Sequence, residues 1–87
     1  MAPPPSYPDT MKIAEDIDAR GLLCPLPVLR ARKRLMSLAP GACLRIVTDD
    51  AMALIDMPHF CAEAGHELLS SQDTDTGHAF VIRKTRD

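Results

Sequence analysis

Val28, Ala31, Leu35 and Leu38 recur at helical spacing, and the segment carrying them lies between two short runs with strand character. Residues three and four apart share one face of an α-helix, whereas Arg30, Lys33 and Arg34 fall mainly off that stripe. An amphipathic helix is therefore expected, stopped by Pro40-Gly41. Before it, Ile13, Glu15 and Ile17 alternate with Lys12, Ala14 and Asp16, giving a short, imperfect strand over residues 11–18 that ends at the turn-prone Asp18-Ala19-Arg20-Gly21. After it, Ala42-Cys43-Leu44-Arg45-Ile46-Val47-Thr48 is too short for an ordinary helix and rich in branched residues, as befits a central strand. Two strands of one sheet joined through a helix are expected to run parallel.

The remainder supplies a second helix and a hairpin. Asp56-Met57-Pro58 reads as a helix start and Gly65 as its stop, which places Met57, Phe60, Cys61 and Ala64 on one buried face. Glu67-Leu68-Leu69-Ser70-Ser71 and Ala79-Phe80-Val81-Ile82-Arg83 flank the polar turn segment Asp73-Thr74-Asp75-Thr76-Gly77. The order βαβαββ, with only two helices, predicts a two-layer α/β sandwich in which both helices cover one face of a four-stranded mixed sheet. Tyr7, Phe60 and Phe80 are the only aromatic residues, so the core must be aliphatic and stacking platforms for single-stranded nucleic acid are not expected.

Residues 1–10 hold four prolines in the first eight positions and read as a flexible, Pro-rich tail ahead of a single domain spanning 11–87. The tail has no basic start followed by an apolar run, and no stretch reaches the length needed to cross a bilayer. A net charge of −2 argues against whole-surface attraction to nucleic acid or membrane. Three cysteines without repeated spacing do not make a secreted disulfide framework, so the expected location is the reducing cytoplasm.

Cys24 stands out among the three. In Cys24-Pro25-Leu26-Pro27 it is expected at the N-cap of the first helix, where partial positive charge favours a thiolate. Pro25 would occupy the first helical position and Pro27 the third, leaving Leu26 N–H as the nearby donor and the sulfur weakly capped on a stiff pedestal. Buried structural use of a cysteine at a helix start is the common alternative.

The run Asp18-Ala19-Arg20-Gly21-Leu22-Leu23-Cys24-Pro25-Leu26-Pro27 resembles the signature of the TusA/SirA-like sulfur carriers. The resemblance extends over about residues 11–85 and includes Val47-Thr48-Asp49-Asp50, Asp56-Met57-Pro58 and Ala64-Gly65-His66. It implies the same βαβαββ sandwich. It also implies that Cys24 receives a sulfane sulfur as a persulfide from a donor such as a cysteine desulfurase or a rhodanese and passes it to an acceptor protein. No metal or organic cofactor is needed for such thiol exchange, and a small carrier of this kind is expected to be a monomer when free. Asp50 lies, in that family, near the cysteine edge of the sheet, where it is either a loop and cap residue or a partner contact. Leu26 departs from the pattern: the position between the prolines is often acidic in carriers serving tRNA thiolation, so an apolar residue here leaves tRNA thiolation, sulfur oxidation, cofactor synthesis and selenium handling open.

Arg20 and Arg30 are the nearest sequence candidates to stabilise a thiolate or persulfide, and Gly21 fits a tight turn. Arg30, Arg32, Lys33 and Arg34 form either a docking face for an acidic partner or a solvated helix face. Cys61 reads as a buried small hydrophobe and Cys43 as structural, while His59, Cys61 and His66 lack metal-ligand spacing. Two other functions compete with sulfur carriage. One is a non-catalytic interaction module using the basic helix or the tail; the other is a thiol redox sensor pairing Cys24 with Cys43 or Cys61.

Overall fold

A computed structural model describes residues 13–85, so the expected tail over residues 1–10 lies outside the described residues. The chain runs β1 (Ile13–Asp18), α1 (Leu26–Met36), β2 (Cys43–Thr48), α2 (Ala53–Ala64), β3 (Glu67–Thr74) and β4 (Gly77–Arg83). The four strands form one sheet in the order β1-β2-β4-β3. β1 and β2 are parallel, with Ile17 opposite Ile46, as the intervening helix requires. β4 is antiparallel to both of its neighbours, which makes the sheet mixed and the βαβαββ sandwich complete.

Side chains two apart on a strand share a face, so Leu44 and Ile46 of β2 and Phe80 and Ile82 of β4 point together toward the helices. With Ile17 they make the floor on which Ala31 and Leu35 of α1 and Ala53, Met57 and Cys61 of α2 rest. Each large side chain fully buried in this way contributes about 1.5–3 kcal/mol. Val28, Leu38 and Phe60 pack at the margin of this core. Ala64, expected on the buried face of α2, is exposed; it is the last residue of the helix, directly before the Gly65 cap. Cys43 alternates with Leu44 and so faces away from the helices, yet it too is buried.

The end of α1, the start of α2 and the hairpin turn differ from the sequence reading. α1 ends at Met36, four residues before Pro40, and Leu38 belongs to the following turn, where its N–H still bonds the Leu35 carbonyl. α2 begins at Ala53 rather than near Asp56. Asp50 explains the early start: its Oδ1 accepts the Met52 N–H at 3.1 Å and its carbonyl accepts the Ala53 N–H at 3.0 Å, organising the first turn upstream of Pro58. The hairpin turn is only Asp75-Thr76, because pairing continues through Asp73 opposite His78 and Thr74 opposite Gly77. Gly77 is thus a strand residue, kept small by crowding: a Cβ there would fall 2.2 Å from the Thr48 carbonyl oxygen. The helix stop at Gly65 is as expected, with φ of 81° in the left-handed region.

Candidate functional site

Because β1 and β2 are parallel, the loops leaving them emerge at the same edge of the sheet, and residues 19–25 must meet residues 49–56. Two adjacent aspartates make that junction. Asp49 Oδ1 accepts the Gly21 N–H at 2.9 Å, and Asp50 Oδ2 accepts the Cys24 N–H at 2.5 Å. Gly21 has φ of 85°, so the loop turns there in a conformation that side chains resist. Asp50 is therefore a clamp on the backbone of Cys24 and at the same time the organiser of α2.

Cys24 is exposed, whereas Cys43 and Cys61 are each 2% accessible. It lies in a shallow notch lined by Pro25, Pro27, Val28, Asp50, Ala53 and Asp56. Its Sγ–H donates to Asp56 Oδ2 at 2.6 Å. That bond, with the loss of some hydration and the negative charges of Asp56 and Asp50, raises the thiol above its ordinary pKa. The expected thiolate is corrected accordingly: at rest the sulfur keeps its proton.

The helix start is also one residue later than expected. Pro25 occupies the N-cap position with no side-chain cap bond, α1 begins at Leu26, and Pro27 is its second residue rather than its third. The Leu26 N–H bonds the Leu23 carbonyl at 2.8 Å and is not offered to the sulfur. Cys24 stands just outside the helix, and its sulfur is held by the Asp56 carboxylate reaching over from α2, with Asp50 of the preceding loop adding negative charge nearby. The Cys24–Pro25 peptide is cis.

The other candidates sort by position. Arg20 forms a paired contact with Asp18 through Nε and Nη2, each at 2.8 Å, and bonds Thr76 Oγ1 at 3.0 Å. It thereby lines a cleft with Asp16, Asp18, Arg45 and Val47, apart from the notch that holds Cys24. Arg30, Arg32, Lys33 and Arg34 are all exposed but do not make one patch. Arg30, Lys33 and Arg34 border a groove with Ser37, with Arg34 reaching Glu15 at 3.3 Å, while Arg32 lies on another side with Met36, Phe60 and Lys84. Leu26 is about half exposed, and Leu23, Met52 and Ile55 surround the same edge with exposed apolar surface.

Burial raises the thiol of Cys43 and pushes that of Cys61 up to about 11, which makes both poor nucleophiles. Cys43 starts β2 whereas Cys24 is clamped just past its end, roughly five residues or about 15 Å of strand away, beyond the ~7 Å Cα separation a disulfide tolerates. Among the described residues no cluster of three or more His, Cys, Asp or Glu side chains is placed to hold a metal.

Asp56 is the site residue that the sequence reading missed as chemistry, taking it for a helix start. No local motif marks it; the usable signal was the parallel β1–β2 pairing, which brings the start of α2 beside the loop that carries Cys24.

A family model described as Sulfurtransferase TusA matches residues 15–84. A protein of Pseudomonas fluorescens named Sulfur carrier protein TusA is 34% identical over 79 residues, 91% of this chain and 95% of the relative. A protein of the same name from Pseudomonas paraeruginosa is 38% identical over 71 residues, covering 82% and 90% of the two chains. Among solved structures, a SirA-like protein from Desulfitobacterium hafniense superimposes with a TM-score of 0.73 at 26% identity, over 83% of this chain and 99% of that one. With the match running from β1 to the end of β4 and through the loop that displays Cys24, the chain belongs to the TusA family of sulfur carriers.

Proposed function

We propose that Cys24 accepts a sulfane sulfur as a persulfide from a donor protein of the cysteine desulfurase or rhodanese kind and hands it to an acceptor protein, in the cytoplasm. The observation that carries this reading is the contrast among three free cysteines: one is exposed in the family motif with its backbone clamped by Asp50, and two are buried in the sheet and α2. Transfer needs an attack by Cys24 Sγ on a terminal sulfur and a later attack by an acceptor thiol on the sulfur then held, so the carrying atom must be reachable twice. Exposed Leu23, Leu26 and Ile55 beside it suit brief docking of protein partners. No helix among the described residues is long and apolar enough to cross a membrane.

Incubation with a cysteine desulfurase and cysteine, followed by intact and peptide mass spectrometry, is expected to show one added sulfur on the peptide containing Cys24. Full loading of a Cys24→Ser variant overturns the assignment.

A further inference from the structure

We propose that Asp56 is a catalytic residue of the transfer, taking the proton of the attacking thiol and returning it to the departing sulfur. The proposal rests on the persulfide reading of Cys24 and deepens it. Its basis is a division of labour between two carboxylates. Asp50 is committed to backbone donors, one oxygen to Cys24 N–H and the other to Met52 N–H. The Asp56 carboxylate has a single partner among the described residues, the Cys24 sulfur at 2.6 Å. It is half-buried in the first turn of α2, on the wall of the notch rather than on a loop.

The chemistry calls for such a group. A thiol that holds its proton is a weak attacker, and a thiol of raised pKa is a poor leaving group when the sulfur is passed on. One carboxylate that accepts and returns a proton in place relieves both difficulties.

During loading, the Cys24 S–H bond breaks and its proton goes to Asp56 as Sγ bonds to the terminal sulfur of the donor persulfide. The donor S–S bond breaks, its electron pair stays on the donor cysteine, and that sulfur takes the proton from Asp56. Thiol and persulfide have exchanged places, with no net oxidation or reduction. In the second half an acceptor thiol gives its proton to Asp56 as it bonds to the terminal sulfur. Asp56 then protonates Cys24 Sγ as the S–S bond breaks, restoring the resting hydrogen bond.

The test uses glutathione persulfide as donor, with loading followed by intact mass spectrometry and thiol ionisation followed by iodoacetamide alkylation. In Asp56→Asn the thiol loses its carboxylate, so alkylation near neutral pH is expected to become faster, while loading slows by at least about tenfold. Alkylation and loading rising together overturn the proposal and reduce Asp56 to a brake on ionisation. Unchanged alkylation shows that the carboxylate does not hold the thiol and overturns it equally.

Wild-type protein supplies a second measurement that does not depend on the variant folding. Alkylation should climb with pH as the thiolate forms, whereas loading, normalised to the same donor reacting with free cysteine, should change far less below the thiol pKa. Coincident profiles overturn the proposal. Failure of the wild-type protein to load at all defeats the persulfide reading itself, while equal loading of wild type and Asp56→Asn defeats the role of Asp56 alone.

Discussion

The two ends of α1 are built on opposite plans. At the C-terminal end, Lys84 is 6% accessible and aims its ammonium at the carbonyls of Leu38, at 2.6 Å, and Met36, at 3.4 Å. Its backbone also pairs with Gly41 and Ala42, so the last carbonyls of the helix, the following turn and the end of β4 are tied in one knot. Lys33 and Arg34 add positive charge to the last turn, where the helix dipole favours it. At the N-terminal end there is no side-chain cap and no acidic residue in the first turn, and two prolines remove donors. The three nearby carboxylates go instead to the loop: Asp49 and Asp50 to its backbone, Asp56 to the sulfur. One end of the helix is tied down by buried hydrogen bonds, and the other leaves the Cys24 sulfur in view of solvent.

Substitutions at the two ends should separate these plans. The largest expected effect is functional: Cys24→Ser abolishes sulfur loading by mass spectrometry while the thermal midpoint stays close to that of the parent, because the side chain is exposed and packs little. Lys84→Met should do the reverse. Leaving helix-end carbonyls without their buried partner is expected to cost about 1–3 kcal/mol in denaturant unfolding, with loading rate unaltered in the folded protein. A loss of loading in that variant would show that the two ends are coupled. Asp50→Ala comes between them. It frees the Cys24 and Met52 amides, and about 1 kcal/mol of stability together with a several-fold slower loading is expected.

The difference between the ends also explains what the sequence made legible. Both helices follow from periodicity: Ala31 and Leu35 of α1 and Met57 and Cys61 of α2 occupy the buried faces that spacing assigns them, whereas which face of the sheet Leu44, Ile46, Phe80 and Ile82 line is set by the assembled fold. Cys24 stood out in the sequence because its motif is local and contiguous, and of the three free cysteines it is the exposed one. The boundaries that moved are those set by long-range contact. Asp50, held by its own loop and by Cys24, starts α2 a turn early, and pairing with Thr74 makes Gly77 a strand residue, kept small by the Thr48 carbonyl, where a turn glycine was expected. Asp56 and Lys84 stayed hidden for the same reason, since each acts on residues about thirty or more positions away, and only the assembled sheet brings them there. The protonation state of Cys24 was misread because helix position was weighed without the carboxylate from the neighbouring element.

Arg20 offers the smallest expected effect and the sharpest edge to the site. Lying four residues before Cys24, it was a natural candidate to stabilise a thiolate, yet its guanidinium is occupied by Asp18 and Thr76. Those hydrogen bonds hold the Asp18 carboxyl at about 2 rather than its ordinary 3.8. A lowered carboxyl pKa stabilises the fold above the ordinary value, and that contribution fades as pH falls through about 2, so the pair is intact at every pH where the thiol titrates. Both partners are solvent-exposed, which limits what the contact is worth. Arg20→Met should therefore slow loading from glutathione persulfide by no more than about twofold. It should also leave the pH profile of Cys24 alkylation where it was. A profile displaced toward higher pH would mean that the guanidinium swings from Asp18 to the sulfur once the loop moves. The N-terminal end of α1 would then carry a cation after all, and the contrast between its two ends would narrow to the carboxylates alone.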